Sequence, residues 1–146
     1  MSRAFKRAAM GTVVVCAALA CVTAAAAAIK TTTHPTTLTV EHTYVSGDGR
    51  LTVTGRIHSD SRNCSFFRQI GLIRQEEGRN QLQDAGLSSI NGGWATRTGP
   101  GAADGSPFFV KTPRESFESV RVGPNGHRSR RTIICEAAQQ PVTYTP

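Results

Sequence analysis

Leu87-Ser88-Ser89-Ile90-Asn91-Gly92-Gly93-Trp94-Ala95-Thr96-Arg97 is the stretch that decides the fold class of this chain. Asn91-Gly92-Gly93 is a tight-turn signal, because Asn and Gly accept the positive φ that hairpin turns require. Strand-compatible residues flank it on both sides, so the stretch reads as a β-hairpin. Trp94 is the only tryptophan and the largest apolar group available to anchor a core. Its alternative role is to stack on a ligand at the surface.

Alternation continues outward from that hairpin. Leu38, Val40, His42 and Tyr44 alternate with polar residues, and after Ser46-Gly47-Asp48-Gly49 so do Leu51, Val53, Gly55 and Ile57. These are two strands joined by a Gly-rich hairpin. Asp60-Ser61-Arg62-Asn63 is a polar turn delivering Cys64, residues 66–74 form an apolar strand, and Glu76-Glu77-Gly78-Arg79-Asn80 turns again. Residues 82–89 enter the Trp94 hairpin and 94–98 leave it. The Gly and Pro residues of 99–107 break both regular periods. Residues 108–111, 116–122, 131–137 and 142–145 are the remaining strands, with Pro124-Asn125-Gly126 turning the chain between the second and third of them. Past the N-terminal segment no apolar period of 3.6 persists. The expected fold is all-β, an antiparallel sandwich of about seven to eight short strands or a small barrel, spanning 38–146.

Residues 1–28 begin with Arg3, Lys6 and Arg7, continue as an apolar run and end in an alanine tract. That layout is a secretory signal peptide, with cleavage expected between Ala24 and Ile29. Cys21 follows Ala18-Leu19-Ala20, a loose match to a lipid-attachment signal, so anchoring at the cell surface is the alternative to free secretion. Residues 29–37 are a Thr-rich leader with no apolar period, expected to be a flexible spacer. The 17 Lys and Arg face 10 Asp and Glu, but three bases and no acids lie in 1–28, leaving fourteen against ten and a net +4. Bases scattered among acids are the usual solvated surface.

Export exposes thiols to an oxidising compartment, and Cys64 and Cys135 are the only cysteines beyond the leader. Simple arithmetic pairs them, against the alternative of two free buried thiols. No CxxC or HxxxH spacing occurs, and His34, His42, His58 and His127 are dispersed, so no metal and no cofactor are expected. Asn63-Cys64-Ser65 matches a glycosylation acceptor only formally, because its middle residue is the disulfide partner.

Several anchors then fall in a suggestive order: Val53, Gly55 and Ile57 in one strand, Cys64 after a polar turn, Leu72 and Arg74 closing the next, and Gly92 before Trp94. Phe117, Val120 and Val122 follow, and then Cys135, Ala138, Val142 and Tyr144. This order resembles small exported bacterial β-sandwich domains of the transthyretin-like or carboxypeptidase-regulatory-like, Ig-like kind. The resemblance covers about residues 37–144 and departs from the pattern in the 99–107 insertion and in the long basic loop before Cys135. It implies a sandwich with a cysteine pair and an accessory role without catalytic residues.

Catalytic constellations are not legible. There is no Gly-x-Ser-x-Gly elbow, and Glu76-Glu77 are neighbours on a turn, where two carboxylates point apart rather than converging on a substrate. Lys111 is the only lysine in an expected strand, where an internal isopeptide bond would need one. Arg121, His127, Arg128, Arg130 and Arg131 straddle the Pro-Asn-Gly turn, and Arg121, Arg128, Arg130 and Arg131 are the candidate polyanion-binding residues. No aromatic interleaves them in the sequence, so nucleic acid is not the expected partner. The expectation is a secreted, non-enzymatic binding or envelope accessory protein whose partner is a cell-wall polymer or another exported protein. The alternative is a secreted hydrolase inhibitor presenting residues 99–107 or 124–131 as a rigid loop.

Overall fold

Local alternation becomes strands, and positive-φ residues separate them. A computed structural model describes residues 29–146, so the expected signal peptide at 1–28 and Cys21 lie outside the described residues. Within these, ten strands and one short 3-10 helix, Arg62–Cys64, form. A four-stranded antiparallel sheet runs in the order β10 (Ala138–Val142), β7 (Phe108–Thr112), β4 (Gln69–Glu76) and β5 (Arg79–Leu87). A three-stranded antiparallel sheet sets β2 (Thr37–Val45) and β6 (Gly93–Arg97) on either side of β3 (Leu51–His58). The third sheet places β9 (Arg128–Cys135) between β8 (Glu115–Val122), antiparallel, and β1 (Lys30–His34), parallel. The β4–β5 turn is compact because Glu77 and Gly78 both take positive φ, 49° and 76°, which suits the right-handed twist of paired strands.

The structure departs from expectation at three places. Asn91-Gly92-Gly93 does turn the chain, with Gly92 at φ 77° and the Ser89 N–H donating to Gly93 O at 2.7 Å. Its flanking strands do not pair, however: β5 bonds to β4 and β6 to β3, so the turn carries the chain from one sheet to another. The longer ladder with β4 and the place beside β3 for Trp94 outweigh a local hairpin. The leader at 30–34 is no spacer but β1, in register with β9 from Lys30↔Arg131 to His34↔Cys135. β-branched threonines suit an exposed edge strand, which needs no apolar alternation. The last strand, expected at 142–145, is instead β10 at Ala138–Val142, whose Pro141 is tolerated at a sheet edge, and with β1 the strands number ten against the seven to eight expected.

One apolar cluster draws Leu38, Leu51, Val53 and Trp94 from the β2-β3-β6 sheet and Ile70, Leu72, Phe108 and Val110 from the four-stranded sheet. Trp94 is 4% exposed and belongs to this core. The tightest point is Gly55, paired with Trp94, where a Cβ would meet Thr39 O at 1.9 Å and Trp94 Cζ2 at 2.5 Å. Gly55→Ala is therefore expected to cost about 3 kcal/mol, the upper range for overpacking. A urea midpoint equal to that of the unaltered protein would show that β2 yields freely there.

The outer strands of these two sheets cover one another. β10 runs beside β2, where Thr43 Oγ1 donates to Thr143 O at 3.2 Å, and β5 runs beside β6, where the Arg97 N–H donates to Asp84 Oδ2 at 2.7 Å. The β1-β9-β8 sheet is different, since residues 116–122 of β8 and 128–131 of β9 are all exposed. It is anchored at one end, where Cys135 is disulfide-bonded to Cys64 with Cα atoms 5.3 Å apart.

Candidate functional site

The anchored end of the β1-β9-β8 sheet is organised by a buried cation. Arg68 is 0% exposed, though its place in an apolar run suggested only one more strand residue. Its Nη1 donates to Cys64 O at 3.4 Å, and its Nη2 donates to Pro113 O and, at 3.5 Å, to Glu136 O. Nε lies 3.2 Å from Glu115 Oε2 without directing its hydrogen there. Burial pushes the guanidinium pKa down while Glu115 holds it up, and an arginine with this many acceptors remains a cation. Arg68 thus joins the 3-10 helix, the β7–β8 link and the residue after Cys135.

That junction imposes an unusual backbone on its neighbour. Ser88 holds the chain at two successive residues: the Phe67 N–H donates to Ser88 O at 3.0 Å and the Arg68 N–H to Ser88 Oγ at 2.9 Å. Between Phe66 and Arg68, Phe67 adopts φ 52°, a left-handed conformation costing a bulky L-residue about 1–2 kcal/mol. The residue is nevertheless 64% exposed, with the Phe66 ring 5.0 Å from its own. Strain retained for a side chain that buries little is characteristic of binding sites.

Asn63, Phe66 and Phe67 form one wall of an open groove of about 530 Å³, and residues 117–120 of β8 form the other. No family model matches this chain, and no curated protein or solved structure does. The likeness to transthyretin-like domains therefore rests on residue spacing alone, and the groove is the feature from which function can be argued.

The β8–β9 register distributes the four candidate arginines. Residues opposite one another share a face and successive residues alternate. Ser119↔Arg131 and Arg121↔Ser129 place Arg131 and Arg121 on the face carrying Phe117, Ile133 and Cys135. Val120↔Arg130 and Val122↔Arg128 place the other two on the opposite face. The four form two pairs on opposite faces rather than one patch, with Phe117 interleaved between neighbouring strands on the first face. Sequence could not show this, because the turn length that sets the register was unknown.

The other residues singled out are dispersed. His34 Nδ1 lies 2.8 Å from Asp60 Oδ1, and His58 Nε2 lies 3.2 Å from Thr39 Oγ1. Among the described residues no three His, Cys, Asp or Glu side chains converge on a metal position. Glu76 lies 3.6 Å from Arg74, whereas Glu77 sits in the β4–β5 turn, and Lys111 is exposed on β7. Asn63 stands at the groove rim beside the bonded Cys64. The 99–107 loop lies flat: Ala102 is buried, the Gly101 N–H donates to Asp48 O at 2.8 Å, and Arg74 binds Asp104. Hydrogen bonds from Ser106 and the Arg74 charge hold the Asp104 carboxyl below its ordinary pKa, and burial raises the Tyr144 phenol beside it. Ser46 and Arg50 hold Asp48 in the β2–β3 turn at about 2.

Phe67 and Phe117 were not among the candidate residues. Adjacent aromatics at 66 and 67 were a usable signal, because neighbours on a strand point to opposite faces and both cannot enter one core.

Proposed function

We propose that this chain is an exported, non-enzymatic binding or envelope accessory module. Its body is a β-sandwich, and the β1-β9-β8 sheet with the Phe66–Phe67–Phe117 groove is its binding surface. The single observation carrying this is Phe67, held in a left-handed conformation with its ring in solvent. Core residues are strained to improve packing; this one is strained while exposed. The sandwich is supported by the apolar cluster fed from two sheets and by the mutual cover of their outer strands. Export is supported by the layout of residues 1–28 and by the Cys64–Cys135 bond, which an oxidising compartment maintains.

Phe67→Gly separates binding from folding. Relief of the strained φ is expected to raise stability by about 1 kcal/mol, while retention of the protein on isolated cell envelopes drops. A variant that is less stable and still retained would place Phe67 in the structural framework and remove the basis for a site here.

A further inference from the structure

β8 is the one long strand edge left uncovered among the described residues. The other two sheets run their outer strands beside one another, leaving residues 79–82 of β5 wholly exposed, and those strands carry further protection: Pro141 in β10, irregular register in β2 and β5. β1 is five residues long and begins with Lys30, a short charged edge of the kind that discourages pairing. β8 runs for eight residues, Glu-Ser-Phe-Glu-Ser-Val-Arg-Val, with no Pro, Gly, Lys or bulge. Along its free side alternate residues present unpaired N–H and C=O groups. Phe117, Val120 and Val122 are 36%, 54% and 62% exposed.

We propose that β8 is a docking edge that takes an extended acidic polypeptide segment as a fourth strand, with an apolar side chain of that segment seated between Phe67 and Phe117. The proposal rests on the binding-module function above and names the partner's chemistry. Main-chain hydrogen bonds to β8 supply affinity and the groove selects the side chain. Charge selects the occupant. The sheet carries Lys30, Arg121, Arg128, Arg130 and Arg131 against Glu118, because Glu115 is turned to Arg68. β8 itself contributes Arg121 and Glu118 to the seam, and β9, the next strand in, adds Arg128, Arg130 and Arg131. A second copy would therefore bring a like positive sheet and be repelled, whereas an acidic strand is drawn in.

The test uses the processed, disulfide-bonded protein and a capped eight-residue peptide of Val and Glu alternating around one Phe. Its companions are a backbone N-methylated twin, a twin with Lys in place of Glu, and inorganic polyphosphate. The acidic peptide is expected to bind, N-methylation to weaken it by about tenfold or more, and the Lys twin not to bind. Hydrogen exchange should slow at alternate amides between Phe117 and Val122. Arg121→Glu with Arg131→Glu should weaken binding more than Arg128→Glu with Arg130→Glu, because the first pair shares the face of Phe117. Phe67→Gly, expected to remain folded, should lose the peptide as well. If N-methylation has no effect and polyphosphate binds equally through both arginine pairs, strand addition is overturned and a polyanion-binding module remains. A protein that adheres to envelopes but takes no peptide overturns the acidic-strand proposal alone. One that binds neither loses both readings.

Discussion

Replacing Cys64 and Cys135 together by Ala is expected to lower stability by about 4 kcal/mol and the thermal midpoint by about 15 °C. The bond closes a loop across a sequence separation of 71, and the freedom that loop denies the unfolded chain grows only with the logarithm of its length. Its position should make the loss uneven. The disulfide links the 3-10 helix to the end of β9, while most of β8 and β9 has no apolar layer over it. Hydrogen exchange is therefore expected to accelerate in β1, β8 and β9 before the core strands β3 and β4 respond. A midpoint unchanged in the double variant, or uniform acceleration across all sheets, would show that Arg68 and the β-ladders hold the third sheet unaided.

Arg68→Met is expected to cost about 3–5 kcal/mol, the range for breaking a buried ion pair by removing one partner. The larger part should come from the carbonyls of Cys64, Pro113 and Glu136, each losing a charged donor inside the protein. Glu115 is 26% exposed on its side chain and is not aligned with the Nε hydrogen, so Glu115→Gln should cost about 1 kcal/mol or less. Arg68→Lys should rescue little, since one ammonium cannot span acceptors arranged for a planar fork. The measurement is a double-mutant cycle in urea. A Glu115→Gln cost as large as that of Arg68→Met would sink this account and make the ion pair the dominant contact. In Glu115→Gln, Phe67 should keep its left-handed conformation, because the bonds that hold it run from the main-chain N–H groups of Phe67 and Arg68 to Ser88.

Much of the all-β character was visible in the chain because period-two alternation and turn chemistry act over a few residues. Leu51, Val53 and Ile57 announced β3 in this way, and Glu77-Gly78 announced the turn after β4. Cys64 and Cys135 could be paired by elimination in an oxidising setting. Three features lay beyond such local signals. β1 contains no apolar alternation, and its threonines became a strand only because β9 offered a parallel edge. Trp94 was placed in a hairpin with β5, yet its strand joined β3, where Gly55 leaves room for the ring. Arg68 sat in an apolar run with no sign of its burial, because two of its three carbonyl acceptors come from the distant positions 113 and 136 and the third, at 64, is presented by the 3-10 helix.

The candidate site was less legible than the fold. The arginines were found by composition, but which of them share a face depends on the β8–β9 register. Phe67 acquires its significance only from the backbone that Ser88 imposes, and β8 stands out as a long free edge only once the outer strands of the other two sheets lie beside one another. By itself the sequence determined where the chain extends, where it turns and which cysteines can meet, since those depend on short-range sterics and solvent preference. Tertiary structure alone decided which strands pair, which cation is buried and which edge stays open, because hydrogen-bond partners and burial are supplied by residues remote along the chain.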